Sequence, residues 1–133
     1  KAKLAVRFEL IHSIDSVRLA EVVARKAKEN GKVQRVLLEL NLGREPQKHG
    51  FLQEELPAAI VQIQSMEGLR VEGLMTVAPY TENPETVRPI FAQLSRLADR
   101  WRLSERSMGM SGDFEVAVEE GATLVRVGRA VFE

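Results

Sequence analysis

The chain of 133 residues contains no cysteine. Disulfide bonds, thiolate metal sites and a cysteine nucleophile are therefore excluded from it, and the composition fits a reducing compartment. Lysine plus arginine and aspartate plus glutamate both number 19, so no net charge draws the chain to nucleic acid or to an anionic membrane. No apolar run approaches the ~18 residues that a membrane-spanning helix needs. These absences give no reason to expect nucleic-acid or membrane partners.

The residues that are present are those of a globular domain. Hydrophobic residues make up 44% of the chain and charged residues 29%, and a chain of this size can enclose a core. The sequence opens on Lys1 without an initiator methionine, and KAKLAVRFE is typical of a basic amphipathic helix already under way. We therefore expect the chain to begin inside a longer domain.

Short apolar segments alternate with longer segments of helical periodicity. The predicted strands span residues 10–15, 33–42, 69–78, 105–111 and 123–132, and the predicted helices span 16–30, 51–66, 84–101 and 112–120. Pro84 suits the first turn of its helix, whereas Pro57 is expected to bend the helix that contains it. Strands that alternate with helices indicate parallel βαβ units in an α/β fold.

The alternation fits a barrel better than a dinucleotide-binding sheet. No GxGxxG motif follows the first strand, which argues against the latter. A (β/α)8 barrel usually needs about 250 residues and eight strands. We therefore expect residues 1–133 to form five βα units from the C-terminal part of a single (β/α)8-barrel domain, with the first three strands of the barrel missing.

The C-terminal part of the chain offers a phosphate site. Phosphate commonly binds to the loops after the last two strands of such a barrel, which here cover residues 107–113 and 127–130. The Ser107 hydroxyl can donate a hydrogen bond to a phosphate oxygen, and Gly128 lets backbone N–H groups approach without a Cβ in the way. The Arg129 N–H is the next donor, at a helix N-terminus that favours an anion. Ser111 either joins this site or only caps the helix over 112–120.

Arg126 is the unusual residue of the last strand. Strand alternation places it on the same face as Leu124, while Val125 and Val127 face the helices. We therefore expect Arg126 to point into the barrel near its mouth. A buried guanidinium needs a partner, which is either a ligand acceptor or the carboxylate of Glu39 on the second predicted strand.

The segment SMGMSGDFEVAVEEGATLVRVGRAVF closely resembles the signature of the pyridoxal 5′-phosphate (PLP) homeostasis protein family. The likeness extends upstream through GLMTVAP, LLELNLGREPQKHGF and IHSID, and so covers essentially the whole chain. The family consists of single-domain barrels similar to the N-terminal domain of alanine racemase. The resemblance implies a cytosolic protein that binds PLP and buffers it or delivers it to PLP-dependent enzymes, without catalytic turnover.

The resemblance also implies roles for individual residues. The phosphate cup of the family corresponds here to Ser107, Gly128 and Arg129. Arg126 corresponds to the arginine that faces the pyridine nitrogen, where a cation keeps that nitrogen unprotonated and makes the ring a weaker electron sink. Met75 and Asn41 are candidates for lining the ring, with ordinary barrel packing as the alternative for Met75.

One residue of the family has no counterpart here. The lysine that bonds covalently to PLP lies at the end of the first strand of the family's barrel, a segment that is absent from this chain. Lys48 lies in a loop on the ligand side, but nothing assigns it the aldehyde. No covalent lysine is predicted.

Two enzymatic alternatives remain. A PLP-dependent amino-acid racemase needs two opposed bases, and the sole tyrosine, Tyr80, is interpreted as a loop residue. A phosphosugar-binding barrel enzyme usually carries acids, a lysine or metal ligands at several strand ends. The predicted strand ends here offer Asp15, Asn41, Ala78 and Ser111. No metal site is predicted, because His12 and His49 occupy positions too different in kind to form a pair.

Overall fold

The computed structural model describes residues 10–46 and 49–126, and the amphipathic helix expected at the start of the chain lies outside them. The strands are β1 (Leu10–Ile14), β2 (Gln34–Leu40), β3 (Leu69–Thr76), β4 (Glu105–Met110) and β5 (Leu124–Arg126). They form a sheet in the order β1-β2-β3-β4-β5, and each neighbouring pair is parallel. The predicted parallel βα units are confirmed.

Helices connect the strands, and polar side chains cap two of the N-terminal ends. The α-helices are α1 (Val17–Glu29), α2 (Leu56–Gln64), α3 (Arg88–Arg100) and α4 (Phe114–Glu119). The Ser16 hydroxyl accepts from the Leu19 N–H at 3.0 Å and so caps α1. Asn83 accepts from the Glu85 N–H at 3.1 Å and caps a 3₁₀ turn, Pro84–Val87, that leads into α3. No helix in the described part of the chain is long and apolar enough to cross a membrane.

The expectation that Pro57 bends a helix over 51–66 is wrong. Phe51 forms a parallel bridge with Leu40, and a 3₁₀ turn, Gln53–Glu55, precedes α2. Pro57 therefore lies in the first turn of α2, where a missing N–H breaks no helical hydrogen bond. The chain stays extended at Phe51 because the Phe51 N–H donates to the Glu39 carbonyl at 2.8 Å and its carbonyl accepts from the Asn41 N–H at 2.8 Å.

The main core lies between the sheet and its helices. Alternate strand residues point toward the helices, and Leu38, Leu74 and Met108 are each at most 1% exposed. Buried apolar side chains of the helices pack against them, among them Ala20, Ala24, Ile60, Ile63, Phe91 and Leu94. The strand residues between these point to the opposite side of the sheet, which we call the inner face. Leu37 and Met75 lie there, and both are buried outside the helix-side core.

A bulge in β3 keeps its apolar residues on the correct side of the sheet. The register runs from Val36 opposite Val71 to Leu37 opposite Gly73, so β3 has one extra residue, Glu72. Because of the extra residue, Val71 and Leu74 both face the helices although they are three positions apart. Only glycine fits at position 73, since a Cβ there would lie 1.9 Å from the Glu105 carbonyl oxygen.

Polar contacts join α3 to the β4–α4–β5 segment. The Arg88 guanidinium pairs with Glu85 at 2.8 Å and with Glu119 and Glu120 at 2.6 Å each. These hydrogen bonds, that of Glu85 first, raise the pKa of Arg88 above its usual range. The Ser95 hydroxyl donates to the Glu120 carbonyl at 2.5 Å. The end of α4, and with it the start of β5, is therefore held against α3 by charge and hydrogen bonding.

Candidate functional site

A row of four side chains crosses the inner face of the sheet. The register places Glu39 opposite Met75, Met75 opposite Ser107 and Ser107 opposite Leu124. Met75 is 2% exposed and Ser107 is 0% exposed. Two of the predicted ligand residues are thus neighbours on adjacent strands, although 32 positions separate them in the chain.

Ser107 lies within the strand that the sequence predicts over 105–111. It lies inside β4, which continues to Met110, and not in the loop that follows. Its side chain is held among packed neighbours, and no buried side-chain nitrogen or oxygen in the described residues lacks a hydrogen-bond partner. A hydroxyl in such a position has one fixed environment, and hydrogen bonds made away from water are electrostatically stronger than exposed ones.

The end of β4 is bent by a glycine. Gly109 has a φ of 103°, and the pairing with β5 shifts between Ser107 and Met110. A Cβ at position 109 would lie 2.7 Å from the Ala117 Cβ, so α4 packs closely on this point of the strand. The bend turns Met110 to lie opposite Arg126 at the C-terminal end of the sheet.

Of the two roles left open for Ser111, that of capping the helix is wrong. Helix α4 begins at Phe114, and its N-cap is Asp113. The Asp113 carboxylate accepts from the Met110 N–H at 2.7 Å, which closes the turn and delays the helix. Ser111 is left exposed on the turn after β4, and its place in a ligand site stays a prediction.

Arg126 lies on the inner face but is exposed, so the expected buried guanidinium is wrong. Val125 points toward α4, since its Cγ1 lies 3.4 Å from a Cβ built on Gly109, and its neighbours in the strand point the other way. The Arg126 side chain is exposed because β5 is the last described strand of the sheet. The alternative partner, Glu39, lies on β2, with β3 and β4 between. The predicted Gly128 and Arg129 lie outside the described residues.

Asn41 has a structural task that the sequence analysis missed. Its side-chain amide donates to the Glu45 carbonyl at 2.8 Å, and its side-chain oxygen accepts from the Glu45 N–H at 3.1 Å. Both polar atoms are therefore committed to the loop after β2. Arg44, with a φ of 54°, anchors the same loop through two hydrogen bonds to Glu54. An asparagine that ends a strand before a glycine-containing loop is the signal that could have predicted this turn.

A second missed residue is Thr76. It is 1% exposed, and its hydroxyl donates to the Leu40 carbonyl at 2.8 Å. This bond ties the C-terminal end of β3 to that of β2, at the edge of the sheet where the predicted ligand residues gather. A threonine at the end of an otherwise apolar strand is the signal for such a bond.

Other candidates do not form a site. Tyr80 is 89% exposed in the loop after β3, which agrees with its interpretation as a loop residue. The described residues contain no cluster of histidine, aspartate and glutamate that could hold a metal ion. A groove of about 500 Å³ lies where α1 ends and β3 begins, lined partly by Ala24, Lys28 and Met66. This is the end of the sheet where strands start, remote from the C-terminal strand ends.

The family profile described as "Alanine racemase, N-terminal domain" matches residues 1–133. The chain belongs to this family. A protein from Aquifex aeolicus named pyridoxal phosphate homeostasis protein is 46% identical over 129 residues, which cover 92% of this chain and 57% of the relative. A protein of the same name from Deinococcus radiodurans is 46% identical over 123 residues, with the same two coverages. The predicted resemblance is confirmed.

Solved structures give the same result for the fold. PipY of Synechococcus elongatus without PLP superimposes with a TM-score of 0.87 at 37% identity, over 95% of this chain and 62% of PipY. PipY with PLP bound gives a TM-score of 0.80 at 35% identity, over 95% of this chain and 61% of PipY. The described strands and helices are thus part of an alanine racemase-like barrel. The chain spans about three-fifths of the length of these relatives.

Proposed function

We propose that the inner face of β3, β4 and β5 binds PLP, and that the protein buffers or delivers this cofactor without catalysing a reaction. The observation that carries the proposal is the fully buried Ser107, in register with Met75 and Leu124. It stands in a chain 35% identical to PipY, of which one structure has PLP bound.

Ser107 would hold the phosphate end of the cofactor. Its hydroxyl, which already has a partner within the protein, would exchange that hydrogen bond for one to an anionic oxygen, and a bond to a charged acceptor is the stronger of the two. Gly128 and Arg129 follow β5 in the sequence and would supply backbone N–H donors. Ser111, exposed on the turn after β4, would complete the set of donors.

Arg126 would lie beside the pyridine nitrogen. Its guanidinium is always charged, and among the described residues no carboxylate forms an ion pair with it. A cation in this place opposes protonation of the ring nitrogen. PLP supplies an aldehyde for amines and a ring that draws electrons, and an unprotonated ring draws them weakly.

Met75 would line the ring, since a thioether adapts to an aromatic surface at little cost. Asn41 would contribute only through the loop that it braces, because both its side-chain polar atoms are already bonded. The residues present fit the cofactor. We assign residues 1–133 to one PLP-binding barrel domain of a cytoplasmic protein, with PLP-dependent enzymes as recipients and no nucleic acid or membrane as partner.

The alternative is a PLP-dependent amino-acid racemase, the activity named in the description of the matching family. A racemase would need a second base opposite the cofactor, and Tyr80 is 89% exposed in a loop. The test is incubation of the intact, PLP-loaded protein with L-alanine, followed by chiral analysis. We expect no D-alanine beyond that formed by free PLP. Turnover at ordinary enzyme rates contradicts a purely non-catalytic role.

Binding itself is tested by titrating the intact protein with PLP and following its absorption spectrum. Saturable binding that Ser107→Ala weakens supports the proposal. Ser104→Ala is the matched control, because Ser104 is an exposed serine three positions earlier in the chain. Absence of saturable binding contradicts the proposal.

A further inference from the structure

The pairing of β5 with β4 is short. The register contains two pairs, Ser107 with Leu124 and Met110 with Arg126, and it shifts between them. A slip of one residue would turn Arg126 toward the helices and Val125 to the inner face, because successive strand residues point to opposite sides. The position of Arg126 therefore depends on whatever fixes this register.

Thr123, immediately before β5, is bonded to the start of β4 through both its backbone N–H and its hydroxyl. Its backbone N–H donates to the Arg106 carbonyl at 2.9 Å. Its hydroxyl oxygen accepts from the Arg106 N–H at 2.8 Å. The hydroxyl proton has two acceptors in reach, the Glu105 carboxylate at 2.9 Å and the Arg106 carbonyl at 3.4 Å, and the nearer, charged carboxylate is the stronger one. The hydroxyl thus stands where a strand carbonyl would stand in a regular ladder.

The Glu105 carboxylate orients the Thr123 hydroxyl. A hydroxyl that donates to an ionised acceptor has its proton held in one place, and its lone pairs then face the Arg106 N–H. The preceding residue is attached elsewhere, because the Ala122 N–H donates to the Ala117 carbonyl of α4 at 3.0 Å. Thr123 is therefore the first residue after α4 that is tied to β4.

We propose that Thr123, oriented by Glu105, is a positioning residue that fixes the register of β5 and so keeps Arg126 on the inner face. The consequence for PLP rests on the proposed function. The register itself does not, so the two can be tested separately.

The register is tested in the intact protein without PLP, by NMR-resolved amide hydrogen exchange at residues 124–126. Thr123→Val keeps the shape and the strand propensity but removes the hydroxyl. We expect exchange at these amides to become roughly two- to tenfold faster, the range for one or two hydrogen bonds. Thr123→Ser keeps the hydroxyl and should restore slow exchange. Equal exchange in wild type and Thr123→Val overturns the proposal.

The consequence for the ligand is measured at saturating PLP. Thr123→Val should shift the absorption spectrum of the bound cofactor, because Arg126 moves relative to the ring, and should raise the dissociation constant roughly two- to tenfold. Thr123→Ser should match wild type in both. A residue that only stabilised the fold would leave the saturated spectrum unchanged, and that result contradicts a positioning role.

Glu105→Ala provides the second variant. It removes the nearer acceptor of the hydroxyl proton, leaves the Arg106 carbonyl as the other, and keeps the two bonds that join Thr123 to the Arg106 backbone at 2.8 and 2.9 Å. We expect an increase in exchange smaller than that of Thr123→Val, and no further increase when the two substitutions are combined. Fully additive effects would mean that the residues act independently and would overturn the role of Glu105. If wild type fails to bind PLP, the proposed function fails, and the exchange data still decide the register.

Discussion

The two faces of this sheet are equally buried at their centres but differ in composition. On the helix side, Leu38 and Leu74 pack against apolar helix residues. On the inner face, the next row sets a carboxylate, a thioether, a hydroxyl and an alkyl chain side by side. Leu74 and Ser107 are both 0% exposed. Burial alone therefore does not distinguish the face that stabilises the fold from the face that offers chemistry, whereas side-chain type does.

The largest effect is expected on the helix side. Leu74→Ala removes a fully buried side chain and should lower the free energy of unfolding by about 2–5 kcal/mol, through lost apolar burial and the cavity left behind. Chemical denaturation measures this loss. Val61→Ala is the control, because Val61 is 59% exposed and its truncation should change stability by less than about 0.5 kcal/mol.

Leu74→Ala protein that remains folded should still bind PLP normally, since Leu74 does not reach the inner face. Loss of PLP binding in folded Leu74→Ala would break the distinction between the faces. Met75→Leu tests the same distinction from the inner face. This nearly isosteric change should cost less than about 1.5 kcal/mol of stability while altering the spectrum of bound PLP.

Ser107→Ala should affect the ligand far more than the fold. We expect PLP retention to weaken by about 1.5–3 kcal/mol, the value typical of a hydrogen bond to a charged group. The spectrum of the cofactor that remains bound should be nearly unchanged, because the contact proposed for the hydroxyl is with the phosphate and not with the ring. Equilibrium dialysis and absorption spectroscopy measure the two effects. A large spectral shift without loss of affinity would contradict the assignment to the phosphate.

Arg126→Glu should change the spectrum more than the affinity. A carboxylate beside the pyridine nitrogen favours its protonated form, so the absorption of bound PLP and its reactivity toward amino acids should shift. The fold should persist, because Arg126 is exposed. Circular dichroism before ligand addition checks this. Unfolding of the variant would contradict the exposed position of Arg126.

The smallest effect concerns an exposed ion pair outside both faces. Hydrogen bonding to Arg44 lowers the pKa of Glu54 below its usual value. A lowered pKa in the folded state adds stability that is complete above the usual glutamate pKa and is lost as the pH falls through the folded pKa. Arg44→Gln should return the Glu54 pKa to the usual range, as measured by NMR titration. The stability change should be slight, since both side chains are solvated.

The order of elements could be predicted because it depends on local pattern. Alternating apolar segments and helical periodicity located the described strands and helices, and the parallel order followed from the length of the connections. The helix starts near Pro57 and Ser111 were predicted wrongly because tertiary contacts displace them. Phe51 is held extended by β2, and Asp113 closes the turn after β4. Each contact competes with the start of a helix at its own position. The helical pattern does not reveal whether the contact or the helix prevails.

The sequence by itself determined the parallel βα order, the apolar helix-side face and the family to which the chain belongs, since these depend on residue types repeated along the chain. Only the tertiary structure decided which of the candidate residues meet. It aligned Met75 with Ser107, bonded Asn41 to its own loop, and left Arg126 exposed at the last described strand. Register between strands is set by contacts such as those of Thr123 with Glu105 and Arg106. Such contacts join residues far apart in the chain, so no local pattern encodes them.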